Sequence, residues 1–298
     1  MLIYLAHGVR AMNEIALKES DVSKLKKYPL DGIWSTESTI YYYKKDFDTS
    51  SVLIKKLFIT EEKRVIRKIE TLKVLRYSEL STYSELIIPE DVVVVGGIKA
   101  GFTIHEVQNA TNLHIFLKDK SVSNRDKIDV LKKIGELLKR VQRQNQEFYF
   151  GDLQEYNFLV GENKEISVVD LDSSSVNRKK PLETKYIILD KKTHVISKYK
   201  VNKATRSYPS IGNDNYCYNT MVLNFLAGEK IHRLTFGEHF DYINYLADVG
   251  VIPMEMKDVY INHYTDKPNE SVLDYLDDIP LQFERGSYGV FKALQKLK

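Results

Sequence analysis

The chain has 298 residues, of which 43% are hydrophobic and 29% are charged, with 14 glycines, seven prolines and one cysteine. This composition excludes collagen-like, low-complexity and disordered chains, and the length suits one large domain or two smaller units. No apolar run approaches the ~20 residues of a membrane helix, and a lone Cys217 excludes an internal disulfide. We therefore expect a cytoplasmic protein with no membrane partner, although its formal net charge of +3 says little about other partners.

Strands interrupted by one helix are predicted for the first third of the chain. Runs rich in Tyr, Val and Ile predict strands at 39–43, 51–59, 91–95 and 101–107. An apolar stripe formed by Val65, Ile66, Ile69 and Leu72 predicts a helix over 61–80. His105 is expected on a buried strand, where it would line a pocket.

Helices are predicted to dominate after residue 110. Apolar residues at helical spacing indicate helices over 126–144 and 214–226, and several shorter helices over 236–298. Two short strands at 158–160 and 166–169 are joined by the polar turn GENKE. A strand-rich first third followed by a helical remainder predicts an α+β fold.

The stretch FGDLQEYNFLVGENKEISVVDLDSSS, residues 150–175, carries the polar groups of greatest chemical interest. Asp152 and Asn157 lie on a loop, and Asp170 follows the second strand of the hairpin. The two aspartates are separated by 18 residues along the chain, which is about what a hairpin needs to bring both loops to one edge. One carboxylate can accept the proton of a hydroxyl, while an amide and a second carboxylate can hold a hard divalent cation. That donor set suits phosphoryl transfer.

In this setting the chain resembles the protein-kinase-like superfamily, and in particular compact bacterial and phage-type Ser/Thr protein kinases with a D-x-D-S metal motif. The D-x-x-x-x-N loop is present as Asp152 to Asn157, the metal motif as Asp170-Leu171-Asp172, and the V-A-I-K strand as VLIK ending at Lys55. GFTIHEV resembles the hinge strand between two lobes. NDNYCYNTMVLNFLAG resembles the helix whose leading aspartate, here Asp214, braces the catalytic loop.

The resemblance covers roughly residues 28–280 and implies a bilobal protein-kinase-like fold. It divides the chain into an N-terminal extension (1–27), an N-lobe with a small antiparallel sheet and one helix (28–107), and a larger, mainly helical C-lobe (108–298). It also implies an ATP- and Mg²⁺-dependent protein kinase that phosphorylates Ser/Thr hydroxyls of protein substrates.

The resemblance also assigns roles to individual residues. Asp152 would be the catalytic base, and Lys55 would contact the ATP phosphates with a helix carboxylate as its partner. Glu70 is expected to be that partner in preference to Glu62, because a first-turn residue is badly placed to reach the cleft. Asn157 and Asp170 would bind Mg²⁺, and Asp172 would be either a second metal ligand or the cap of the next turn. The backbone of Glu106 and Val107 would bind adenine. Gly32, Ser35 and Thr36 would cover the phosphates.

Three departures from the family pattern keep other functions open. Gly32 is the only glycine of the phosphate-covering loop, Gly151 stands where many protein kinases have Arg, and Gln154 stands where a Lys usually faces the γ-phosphate. The loss of one such charge contact can cost about 10²–10³ in rate. The alternatives are a small-molecule, aminoglycoside-type phosphotransferase, which Gly151-Asp152 also resembles, and a nucleotide-binding pseudokinase scaffold.

The charge is unevenly distributed along the sequence. Residues 173–210 contain ten basic side chains and only Glu183 and Asp190 as acids, so this segment carries +8 and the rest of the chain −5. It stands where the resemblance places a long activation segment, and its pattern predicts a hairpin around Lys191-Lys192. We expect either a solvated loop or a docking surface for an acidic protein or nucleic acid.

Overall fold

The computed structural model describes residues 12–29, 37–43, 52–58, 62–145, 148–174, 188–190, 195–197, 211–228, 236–262, 270–281 and 287–296. Within these ranges no helix is both long and apolar enough to span a membrane. The fold is α+β, as the sequence predicts, and the described residues form one mixed and two antiparallel sheets beside a group of helices.

A five-stranded sheet forms from the first part of the chain. Its strands are β1 (Glu14–Leu17), β2 (Ser38–Tyr43), β3 (Val52–Leu57), β4 (Val92–Val95) and β5 (Ile98–His105), in the order β1-β4-β5-β3-β2. All neighbours pair antiparallel except β1 and β4, which are parallel. The β4–β5 hairpin turns through Gly96 and Gly97, whose φ values of 58° and 87° suit a two-residue hairpin turn.

The two faces of this sheet are covered by different parts of the chain. Helix α2 (Glu62–Arg76) packs on one face through an apolar stripe made of Val65, Ile69, Leu72 and Leu75. On the other face Val22, from the short helix α1 (Glu19–Val22), packs with Ile54, Val93 and Val95.

The described part of the N-terminal segment, residues 12–29, therefore packs with the sheet. Besides β1, it supplies residues 26–28, where the N–H of Tyr28 donates to the carbonyl of Ile40 at 2.9 Å. The boundary expected at residue 27 does not coincide with a structural boundary.

A second, three-stranded sheet consists of β6 (Thr111–Asn112), β7 (Phe158–Val160) and β8 (Ile166–Val168), in that order and antiparallel. Helix α3 (Leu113–Lys118) follows β6 directly. Residues 85–87 run alongside β8, where the N–H of Ile87 donates to the carbonyl of Val168 at 2.9 Å. This contact ties the chain that leaves α2 to the hairpin of the second sheet.

The remaining described residues are mainly helical. The longest helix is α4 (Asn124–Gln144), whose first turn is capped by the hydroxyl of Ser123. The others are α5 (Ile211–Ala227), α6 (Phe236–Asp248), α7 (Met254–Asn262), a 3₁₀ helix (Val272–Asp278) and α8 (Ser287–Gln295). Buried side chains of α2 and of these helices join in one apolar cluster, so the division into two lobes stays a prediction.

Gly135 allows α4 and α5 to approach each other closely. A Cβ atom at this position would lie 2.6 Å from the hydroxyl oxygen of Tyr218, which itself donates to the carbonyl of Leu131 at 2.9 Å. Helix α5 is thereby fixed against α4, and this contact matters because α5 carries Asp214.

The hairpin predicted within the basic segment is confirmed. Strands β9 (Ile188–Asp190) and β10 (Val195–Ser197) pair antiparallel, with Asp190 opposite Val195. The rest of the basic segment after Ser174 lies outside the described residues.

Substituting Gly101 with Ala should destabilise the sheet at the strand that carries Lys55. The added Cβ would lie 2.0 Å from the carbonyl oxygen of Lys55, so β3 would have to move. We expect the free energy of unfolding in urea to fall by about 1–3 kcal/mol. Gly289→Ala in α8 is the control, because nothing lies within 4 Å of its added Cβ and Ala favours a helix. Equal stability of the two variants would contradict the prediction.

Candidate functional site

The β7–β8 hairpin brings the two predicted loops together, as expected from the spacing of the aspartates. Phe158 pairs with Val168, and one position further along the N–H of Val169 donates to the carbonyl of Asn157 at 2.9 Å. Asp170 therefore follows a residue that is hydrogen-bonded to Asn157. The side chain of Asn157 in turn donates to the carbonyl of Asp152 at 2.7 Å.

The loop before Asn157 is tightly folded around Gly151. The N–H of Asp152 donates to the carbonyl of Phe150 at 2.8 Å, and Gly151 between them has a φ of 73°. Few side chains tolerate this left-handed conformation, which gives a local reason for a glycine at this position. The Gln154 amide donates to the Asp152 carboxylate at 3.2 Å and so helps to orient it.

Asp214 holds this loop from the side of α5, as the family resemblance implies. Its two carboxylate oxygens accept from the N–H groups of Phe150 at 3.0 Å and Gly151 at 3.3 Å. Burial raises the pKa of Asp214 to about 7, against the opposing effect of the two N–H donors.

A second group of polar side chains supports the loop from the side of α3. His114 Nδ1 lies 2.8 Å from a carboxylate oxygen of Glu155, and the Tyr156 hydroxyl lies 3.3 Å from His114 Nε2. The Asn112 amide donates to the carbonyl of Tyr156 at 2.9 Å. The loop that carries Asp152 is thus fixed from two directions.

Lys55 reaches the hairpin from the five-stranded sheet. It is buried on β3, paired across the sheet with Phe102, whose ring centroid lies 5.4 Å from its ammonium nitrogen. That nitrogen contacts a carboxylate oxygen of Asp170 and lies 3.2 Å from one of Asp172. Asp170 has a φ of 64°, a left-handed conformation that few residues other than glycine, asparagine and aspartate adopt.

Lys68, on α2, joins the same group of charges. Its side chain has no exposed surface, and its ammonium nitrogen lies 2.8 Å from Asp172 and 3.1 Å from Glu37. Burial raises the pKa of Asp172, but the ammonium groups of Lys55 and Lys68 outweigh this effect and hold it well below its usual range. Burial likewise lowers the pKa of Lys55, yet Asp170 and Asp172 raise it above its ordinary value.

Two expected roles do not fit this geometry. Glu70 lies on the exposed side of α2, because the stripe that faces the sheet turns Lys68 inward instead, so the expected pairing with Lys55 is wrong. Asp172 is fully buried and bonded through both oxygens to Lys55 and Lys68, which does not favour it as a metal ligand.

The expectation of a buried His105 is also wrong, because its side chain is 47% exposed at the end of β5 and paired with Glu90.

The structure describes only some of the residues predicted to contact the nucleotide. Glu106 and Val107 follow β5 directly and are half-buried. Gly32, Ser35 and Thr36 lie outside the described residues. The flanks of their segment are fixed, however, since Tyr28 bonds to Ile40 of β2 and Glu37 contacts Lys68.

Sequence reasoning missed Lys68, although a signal for it was present. Lys68 lies three residues after Val65 and four before Leu72, so it interrupts an apolar stripe at a position that faces the sheet. Asn112, His114 and Glu155 were also missed, because Glu155 lies 41 residues from His114 in the sequence and no local pattern connects them.

The chemistry of the donor set fits Mg²⁺. Among the described residues no three His, Cys, Asp or Glu side chains form a group that could hold a metal. Mg²⁺ in phosphoryl transfer is commonly bound by one or two protein oxygens together with phosphates and waters. Asn157 uses its amide N–H on Asp152, so its oxygen is the atom suited to a cation, and Asp170 is the more exposed of the two motif aspartates.

Comparison with known proteins gives no family for this chain. No protein-family model matches it, and no curated protein sequence is significantly similar. The functional argument therefore depends on the site itself.

The buried carboxyl of Asp214 should make stability depend on pH. A folded-state pKa near 7, above the ordinary value of 3.8, means that the folded state binds more protons than the unfolded state between these values. Stability should therefore fall as the pH rises from 4 to 7, by a few kcal/mol at about 1.4 kcal/mol per pKa unit.

Asp214→Asn should lack this component. We expect the difference in unfolding free energy between wild type and variant, measured in urea across that pH range, to shift steadily against the wild type as the pH rises. Parallel pH profiles of the two proteins would contradict the assignment.

Proposed function

We propose that this protein is an ATP- and Mg²⁺-dependent protein kinase of the protein-kinase-like superfamily, which transfers the γ-phosphate to Ser/Thr hydroxyls of proteins. The observation that carries the proposal is the meeting of Lys55 with Asp170, 115 residues apart in sequence, beside Asn157 and Asp152. The ammonium group of Lys55, the oxygens proposed to bind the metal and the proposed base therefore lie on adjoining loops, which supports a role in phosphoryl transfer.

In this proposal each residue has one task. Asp152, oriented by Gln154, accepts the proton of the substrate hydroxyl. Asn157 and Asp170 would hold Mg²⁺, which neutralises phosphate charge when it is bound. Lys55 would contact the phosphates, and the backbone of Glu106 and Val107 would take the adenine edge at the end of β5. The bilobal arrangement and the cytoplasmic location belong to the same proposal.

A pseudokinase is the second candidate, and a specific contact favours it. Lys55 is engaged by two carboxylates, and the position that usually supplies a second cation holds Gln154, which binds Asp152 instead. A protein with this arrangement can bind nucleotide without transferring phosphate. The small-molecule phosphotransferase is the third candidate and shares the same catalytic residues.

Isosteric substitution of the two aspartates should separate these functions. We expect Asp152→Asn to lower phosphate transfer from γ-labelled ATP by about 10²–10⁴-fold, the contribution typical of a general base. Asp170→Asn should raise the Mg²⁺ concentration needed for transfer, and Asn keeps the left-handed backbone at little cost. Asp278→Asn, at an exposed position of the 3₁₀ helix, is the matched control.

The substrate panel contains the protein itself, generic protein substrates and an aminoglycoside. Protein phosphorylation that Asp152→Asn abolishes supports the proposal. Transfer confined to the aminoglycoside supports the third candidate instead. A rise in Tm with ATP that needs no Mg²⁺, with no transfer to any acceptor, supports the pseudokinase.

A further inference from the structure

Lys68 is an unusual residue for the interior of a protein. Its side chain is completely buried on α2, although a buried lysine is costly unless its charge is paired. Its partners come from separate parts of the chain: Asp172 after β8, Glu37 before β2 and, at 3.4 Å, the hydroxyl of Ser173. One ammonium group thus joins α2 to the sheet edge and to the metal motif.

Asp172 connects Lys68 to the proposed phosphate-binding lysine. One of its oxygens lies 2.8 Å from Lys68 and the other 3.2 Å from Lys55. The side chain of Asp172 has no exposed surface, whereas that of Asp170 is 36% exposed. Of the two carboxylates that contact Lys55, Asp170 is therefore the one that a cation can reach from solvent. Asp172 is therefore the carboxylate suited to hold Lys55 when Asp170 binds a cation.

We propose that Lys68 and Asp172 form a positioning pair, in which Lys68 fixes the carboxylate of Asp172 and Asp172 fixes the ammonium group of Lys55. A carboxylate of the metal motif thereby performs the orienting task that was expected of Glu70, and α2 contributes a cation. The kinetic consequence of this inference depends on the proposed function, but the pairing itself does not.

Lys68 acts here through its neighbours. The side chain of Lys68 has no exposed surface, and its ammonium group contacts three partners, so it does not contact a nucleotide directly. Lys68 is therefore a positioning residue. Its effect on catalysis comes from geometry, because a displacement of about 1 Å at a reacting group can cost about 10²-fold in rate.

The test compares Lys68→Met, Lys68→Arg and Asp172→Asn with Lys63→Met, a control at an exposed position of the same helix. The first measurement is amide hydrogen exchange over residues 166–174 in the nucleotide-free protein. The N–H groups of Val168, Val169 and Ser174 are hydrogen-bonded and report opening of this segment. We expect Lys68→Met to speed their exchange about tenfold, and Lys63→Met to leave it unchanged.

The second measurement is kcat and KM for ATP, well below the Tm of each variant. We expect Lys68→Met to lower kcat by about 10²-fold with a much smaller change in KM, and Lys68→Arg to recover most of that loss. Because Lys68 acts through Asp172, the double variant that combines Lys68→Met with Asp172→Asn should lose no more kcat than Asp172→Asn alone.

The outcomes distinguish the inference from the proposed function. A wild-type protein that transfers no phosphate to any acceptor contradicts the proposed function, whether or not ATP raises its Tm. The hydrogen-exchange measurement alone then tests the positioning pair. Unchanged exchange in Lys68→Met overturns the pair in either case. In an active enzyme, an unchanged kcat in Lys68→Met, no recovery in Lys68→Arg, or multiplicative losses in the double variant overturn it as well.

Discussion

Charge pairing in the interior, between α2, β3 and the segment after β8, is the interaction on which the site depends. Lys55, Lys68 and Asp172 are each less than 10% exposed. A buried charge is tolerated only with a partner, and removing one member of such a group typically costs about 3–5 kcal/mol. The three elements therefore have to come together in a single arrangement. Backbone bonds at Ile87 and Val169 hold the hairpin where this arrangement is possible.

Four aspartates around the site show how burial assigns different tasks to one side chain. Asp214 is buried against backbone N–H groups and supports the loop, while Asp172 is buried against ammonium groups and orients a lysine. Asp152 is half-buried and held by a neutral amide, and Asp170 is the most exposed. Asp152 and Asp170 thus retain access to solvent, and in the proposed reaction these two contact the substrate and the metal directly.

Features with a local cause were predictable from the sequence, and features with a distant cause were not. The β7–β8 hairpin and helix α4 follow from periodicity, and the position of Asp214 followed from the family resemblance. Glu70 was misplaced because its distance along the chain from Lys55 was considered without the rotation of the helix. With Val65 and Leu72 on the buried face, position 68 shares that face and position 70 does not. Strand β1 was missed because its partner β4 lies some 80 residues further along the chain.

The parallel pairing of β1 with β4 also bears on aggregation. β4 consists of four consecutive valines, Val92–Val95, a short apolar segment of high β-propensity. With β1 in place it is an interior strand, and without β1 its unpaired backbone groups would form an edge on which another chain could add a strand. Parallel pairing over such a separation is slow to form, since the two ends of the intervening chain must first be brought together. Strand β1 thus covers β4 against self-association, and this cover is missing from any state of the chain in which the distant pairing has not yet formed.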